Sequence, residues 1–241
     1  MSLLEVTDLV KSFGGLNAVR NLTIQLAENQ ILGLIGPNGA GKTTFFNCIA
    51  GVYPPTSGNV MFNGREITGQ KPWDIARMGV ARTFQLVKPF ASKTVLYNTM
   101  VGALLHTSSM AKARKKALQV LETLSLTDKK DFLAKNLTIA DRKQLELARA
   151  MATEPRLLLL DEVMAGLRPA EVGHMIATIR AIRDSGVTIF LIEHIMQAVM
   201  ALSDWIVVIN FGEKIAEGTP AQMARDERVI KAYLGDDYVA A

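Results

Sequence analysis

The chain predicts an α/β fold: a mostly parallel sheet covered by helices, with an N-terminal antiparallel β part and a helical insert. Three observations carry this. Apolar runs at residues 30–35, 156–160, 187–192 and 205–210 alternate with segments of helical period, the mark of a parallel sheet buried on both faces. Residues 3–10 and 20–26 alternate polar and apolar side chains as half-buried strands do, and Gly14-Gly15 marks the turn between them. From Leu86 to Ala152 strand signals vanish and the period is helical throughout.

The run ending at Ile35 leads into Gly36-Pro37-Asn38-Gly39-Ala40-Gly41-Lys42-Thr43, followed by a helix-like segment from Thr44 to Ala50. This is the G-x-x-x-x-G-K-[ST] spacing in the strand–loop–helix setting that gives it meaning. Its glycines let the backbone curl around phosphate oxygens with successive N–H groups pointing inward. The helix behind adds its unpaired N-terminal amides. Lys42 brings a positive charge to the β- and γ-phosphates, and the Thr43 hydroxyl suits Mg²⁺. A nucleoside triphosphate is the expected ligand.

Further on, Lys112-Ala113-Arg114-Lys115-Lys116 lies on a helical stretch backed by Leu118 and Leu121, and reads as a solvated face. The run Leu157-Leu158-Leu159-Leu160 then stops in Asp161-Glu162. A buried strand ending in two acids puts both at the carboxyl edge of the sheet, where α/β ligand sites form. Asp161 suits Mg²⁺, and Glu162 suits orienting or deprotonating an attacking water. The next run closes in Glu193-His194. A two-strand signal follows, residues 207–211 and 214–217 with Gly212 at the turn, and then a short helical tail.

Of the 241 residues 49% are hydrophobic and 21% charged, as in ordinary globular domains, and one large domain or a domain with a subdomain is expected. No segment reaches the roughly 18 unbroken apolar residues of a membrane span, and residues 1–11 lack a signal-peptide core. The single cysteine, Cys48, excludes an internal disulfide, fits a reducing compartment and reads as helix packing. A net charge of +4 without a basic stripe argues against a nucleic-acid partner.

The ordered motifs resemble the ATP-binding subunit of ABC transporters, from about Leu3 to Tyr238. Gly36–Thr43, with Thr44 beside it, looks like that family's Walker A, and Leu157–Glu162 its Walker B. The resemblance implies a P-loop NTPase core at residues 1–85 and 153–241 and a helical subdomain at 86–152 within a single domain. It makes Gln85 the Q-loop residue for Mg²⁺ and water, His194 the switch histidine, Phe13 the aromatic under adenine and Met164–Pro169 the D-loop. ATP and Mg²⁺ are the implied cofactors.

The family's signature motif departs from pattern. Leu137-Thr138-Ile139-Ala140-Asp141 stands where Leu-Ser-Gly-Gly-Gln is usual. In the family this helix start reaches the γ-phosphate held by a partner subunit, which makes Thr138, Ala140 and Asp141 candidate nucleotide contacts. Asp141 would then repel the phosphate by roughly 3 kcal/mol at about 5 Å before screening by Arg142, Lys143 and Mg²⁺. The alternative is a capping box in which Asp141 folds back to the Thr138 backbone and faces away. Val163 and Arg168 also depart, standing where proline and Asn or Asp are usual.

Residues 11–19, 75–85 and 215–220 are similar to the ATPases of bacterial branched-chain amino-acid importers, a group that also carries urea and short amides. The ending Ala232-Tyr233-Leu234-Gly235 fits the lipopolysaccharide-export ATPase nearly as well. The implied setting is the cytoplasmic face of the plasma membrane. The implied partners are a second ATPase subunit, permease subunits docking near Leu86–Val101 and, indirectly, a solute-binding protein. The competing reading is a hydrolysis-impaired nucleotide-binding partner in a heterodimer.

Overall fold

The computed structural model describes residues 2–84 and 88–234. Strands β1 (Ser2–Phe13) and β2 (Leu16–Ala27) form a long antiparallel hairpin, and β3 (Ile31–Ile35) leads into helix α1 (Lys42–Ile49). Next come β4 (Ser57–Phe62), β5 (Arg65–Glu66), α2 (Pro72–Arg77) and β6 (Val80–Arg82). Helices α3 (Val95–Ala103), α4 (Met110–Thr123) and α5 (Ile139–Met151) make up the helical stretch. The chain returns through β7 (Leu157–Asp161), α6 (Pro169–Asp184), β8 (Thr188–Ile192) and α7 (Met196–Leu202). It closes with β9 (Trp205–Asn210), β10 (Glu213–Gly218), α8 (Pro220–Met223) and α9 (Glu227–Leu234).

Two sheets result. One is antiparallel, in the order β2-β1-β4-β5; the other runs β10-β9-β3-β8-β7-β6 and is parallel except for β10. The apolar runs are buried on both faces because successive side chains alternate between two cores. Leu157, Leu159, Phe190 and Ile192 pack toward α1 and the antiparallel sheet. Leu158, Leu160, Ile189 and Leu191 pack toward the helices, in a cluster continuous with Ala113, Ala117 and Leu121 of α4. On the outer side of α4, Lys112, Arg114 and Lys115 are exposed.

Strands β4, β5 and β6 extend beyond what the sequence reading assigned. Strand β4 pairs with β1 (Leu4 opposite Phe62), and Asn63-Gly64, both at positive φ, turns it into β5. An Asn-Gly turn is a hairpin signal that the polar surroundings hide. Strand β6 is only three residues long and forms through its parallel pairing with β7.

Candidate functional site

The phosphate loop spans residues 36–43 between β3 and α1. Two of its glycines are required by close approach: a Cβ at Gly36 would lie 2.1 Å from the Ile209 carbonyl oxygen, and one at Gly41 2.2 Å from that of Ala18. Gly41 is also at φ +102° and caps α1 with no side-chain hydrogen bond, and no acid lies in the first turn. The leading amides of α1 therefore have no side-chain cap, as an anion site needs. Lys42 is buried and donates to the carbonyls of Gly36 (2.7 Å) and Pro37 (2.9 Å). Burial pushes its ammonium below the usual range, with the negative charges of Glu162 and Asp161 opposing.

A cleft of about 440 Å³ runs along this loop, lined by Asn38 to Thr44, Glu162 and, at its far end, Phe13. Phe13 is 43% exposed, meets Tyr53 edge-on at 5.3 Å between ring centres, and has the Lys11 ammonium 4.9 Å from its ring. Its half-exposed ring suits stacking on a base. Phe211, 76% exposed at φ +46°, and Arg20 also line the cleft. Neither is marked by any motif.

The parallel register of β7 and β8 sets Asp161 opposite Ile192, so the residues following both strands meet at one edge. His194 Nδ1 lies 3.9 Å from Glu162 Oε2. Asp161 is buried, and Arg82 of β6 donates to its Oδ2 at 2.8 Å. Arg82 also reaches Asn47, and Thr83 accepts the Asp161 N–H at 3.2 Å. Sequence reasoning missed this support because strand pairing alone brings β6 alongside.

Thr43 and Asp161 share the wall of an adjoining cleft of about 490 Å³. Among the described residues no group of three His, Cys, Asp or Glu could enclose a metal. One hydroxyl and one carboxylate nonetheless fit Mg²⁺, which takes few protein ligands and completes its shell with phosphates and water. Gln85 lies outside the described residues. The preceding Phe84 gives its N–H to Glu146, a buried acid whose carboxyl burial raises above the usual range.

The segment Thr138–Asp141 stays out of the phosphate cleft of its own chain. Thr138 caps α5, its hydroxyl accepting the Asp141 N–H at 3.2 Å. The second half of the capping box differs from expectation. The Asp141 carboxylate accepts from the Thr138 hydroxyl (2.8 Å) and pairs with Lys129, instead of folding back to the Thr138 backbone. Lys129, placed by the short turn at residues 127–129, supplies a cation that outcompetes the amide. Asp141 is 8% exposed and its charge is offset, so little repulsion is presented outward. Lys143 is also buried and donates to the Glu162 carbonyl at 3.2 Å, so it turns inward where screening of the phosphate was expected.

A Gly-rich loop opening an uncapped helix, with two acids and a histidine at the adjoining strand ends, defines a P-loop nucleoside triphosphatase. Residues 19–165 match the family described as ABC transporter, and residues 213–239 match the branched-chain amino acid ATP-binding cassette transporter family. The chain is 43% identical to the high-affinity branched-chain amino acid transport ATP-binding protein LivG of Escherichia coli K12, covering 97% of this chain and 98% of that one. It is 30% identical to the lipopolysaccharide export system ATP-binding protein LptB of the same organism, with 99% of each covered. A nucleotide-free ATP-binding cassette from an ABC transporter superposes with a TM-score of 0.89 at 29% identity, covering 98% of this chain and all of that one. The chain belongs to the ABC transporter ATP-binding family. No helix among the described residues is long and apolar enough to cross a membrane.

Proposed function

We propose that this chain is the ATP-hydrolysing subunit of an ABC importer for branched-chain amino acids or related amides. The observation that carries the reading is that Glu162 lines the cleft along the phosphate loop with His194 Nδ1 3.9 Å from its carboxylate. The amides of α1 and Lys42 take the phosphates, and Phe13 stacks beneath adenine. Thr43 and Asp161 hold Mg²⁺, with Gln85 assigned to the same ion by resemblance; when bound, the ion screens phosphate charge. Glu162 accepts a proton from the attacking water and His194 contacts the γ-phosphate. Two such subunits sandwich the nucleotide, each lending Thr138, Ala140 and the α5 start to the other.

The division into a core at 1–85 and 153–241 and a helical subdomain at 86–152 serves that arrangement. A groove of about 310 Å³ lined by Ile75, Val80, Phe84, Val101 and Arg149 supports docking of permease subunits beside Leu86–Val101, at the cytoplasmic membrane face. A solute-binding protein would engage the permease and not this chain.

Glu162→Gln tests the site. Turnover is expected to fall by about 100-fold or more, as for loss of a general base, with ATP binding retained in equilibrium titration. Undiminished hydrolysis would remove Glu162 from the role. Co-purification with a hydrophobic permease tests the assembly.

A further inference from the structure

The backbone of Glu162 is left-handed, at φ +50°, a conformation that non-glycine residues adopt seldom and retain where surroundings hold them. Its N–H donates to the Ile192 carbonyl at 2.9 Å, which ties the end of β7 to the end of β8. Its own carbonyl accepts from Lys143 Nζ and from the Ala165 N–H, each at 3.2 Å. Two residues on, the Met164 N–H donates to Glu193 Oε1 at 2.8 Å, and the His194 N–H reaches Glu193 Oε2 at 3.3 Å.

Lys143 is 7% exposed and Glu193 1% exposed, and neither lines the phosphate cleft. Buried charges are retained where they meet hydrogen-bonding partners. Here those partners include backbone groups of the turn that carries the hydrolytic acid. Lys143 arrives from α5, the helix that opens at Thr138, and Glu193 precedes the histidine facing Glu162. Burial raises the Glu193 carboxyl above its usual range, with the Met164 N–H opposing.

We propose that Lys143 and Glu193 are positioning residues that clamp the left-handed Glu162 turn and so aim its carboxylate at the phosphates, without touching nucleotide. The inference rests on the role proposed above for Glu162. The clamp joins three segments: the α5 helix, the turn after β7 and the residues after β8. A shift of α5 would reach the hydrolytic acid through Lys143.

The test uses the full-length chain with Glu193→Ala, Glu193→Gln, Lys143→Met and, as reference, Glu162→Gln. Steady-state kinetics are read together with peptide-level amide exchange over residues 162–167. Glu193→Ala and Lys143→Met should each lower kcat by about tenfold or more while KM for ATP stays within about twofold, the pattern of a lost transition-state alignment. Exchange over the turn should quicken while β7 remains protected. Glu193→Gln keeps an acceptor oxygen for Met164 and should retain kcat within about threefold. Unchanged kcat in both Glu193→Ala and Lys143→Met overturns the clamp, as does a Gln variant as impaired as the Ala one. Should Glu193→Ala fail to fold, Lys143→Met and Glu193→Gln decide by the same readouts. If Glu162→Gln hydrolyses at the wild-type rate, the role of Glu162 fails, and the exchange result still reports whether the two residues hold the turn.

Discussion

Two helix N-termini in this chain treat their unpaired amides in opposite ways. Helix α1 opens at Gly41 with no capping side chain and no acid in its first turn. Helix α5 opens at Thr138, whose hydroxyl caps it, with Asp141 in the first turn and Lys129 paired to that acid. The first leaves its positive end open for a ligand; the second satisfies itself from its own chain. In the proposed function a phosphate would therefore be gripped chiefly by α1 and Lys42. The α5 end of a partner subunit would contribute shape more than field, because the Thr138 hydroxyl already donates to Asp141. Its Asp141 stabilises the fold where a glutamine is usual.

That contrast is breakable. Lys42→Ala should reduce ATP hydrolysis by about 100-fold or more, in line with removal of a charged phosphate clamp; retained turnover would mean that the α1 amides suffice. Phe13→Ala probes the far end of the same cleft and should weaken ATP binding by about tenfold, within the range for base–aromatic stacking; calorimetric titration measures it. At α5, Thr138→Ala should lower unfolding stability by about 1 kcal/mol, as for loss of an N-cap. Its single-subunit ATP affinity, read by the same titration, should not change; a large drop would show that α5 contacts nucleotide within its own chain. The smallest effect is expected at Cys48 on the buried side of α1. Burial raises its thiol to about 11, so the native protein should resist alkylation at pH 8 and react once unfolded.

Legibility in the sequence followed the range of the interaction. The phosphate loop was readable because its spacing is a local backbone requirement: at Gly36 and Gly41 a Cβ would collide with the Ile209 and Ala18 carbonyl oxygens. The acids at 161 and 162 were readable as the end of an apolar run. The pairing of Arg82 with Asp161 carried no signal: the two lie 79 residues apart and meet only because β6 pairs with β7. Strand β6, at three residues, was equally hidden. Glu193 was visible as the residue closing a run, yet its bond to the Met164 amide depends on two strand ends arriving side by side.

By itself, the sequence determined the layered α/β class, the triphosphate loop and the order of the acid and histidine motifs, because periodicity and loop chemistry are properties of neighbouring residues. Tertiary structure alone decided where the charges point. Asp141 turns to Lys129, Lys143 turns inward to Glu162, and Asp161 is met by Arg82. A buried charged side chain settles where its partners compensate for the hydration it loses, and only the folded arrangement of strands and helices supplies that choice.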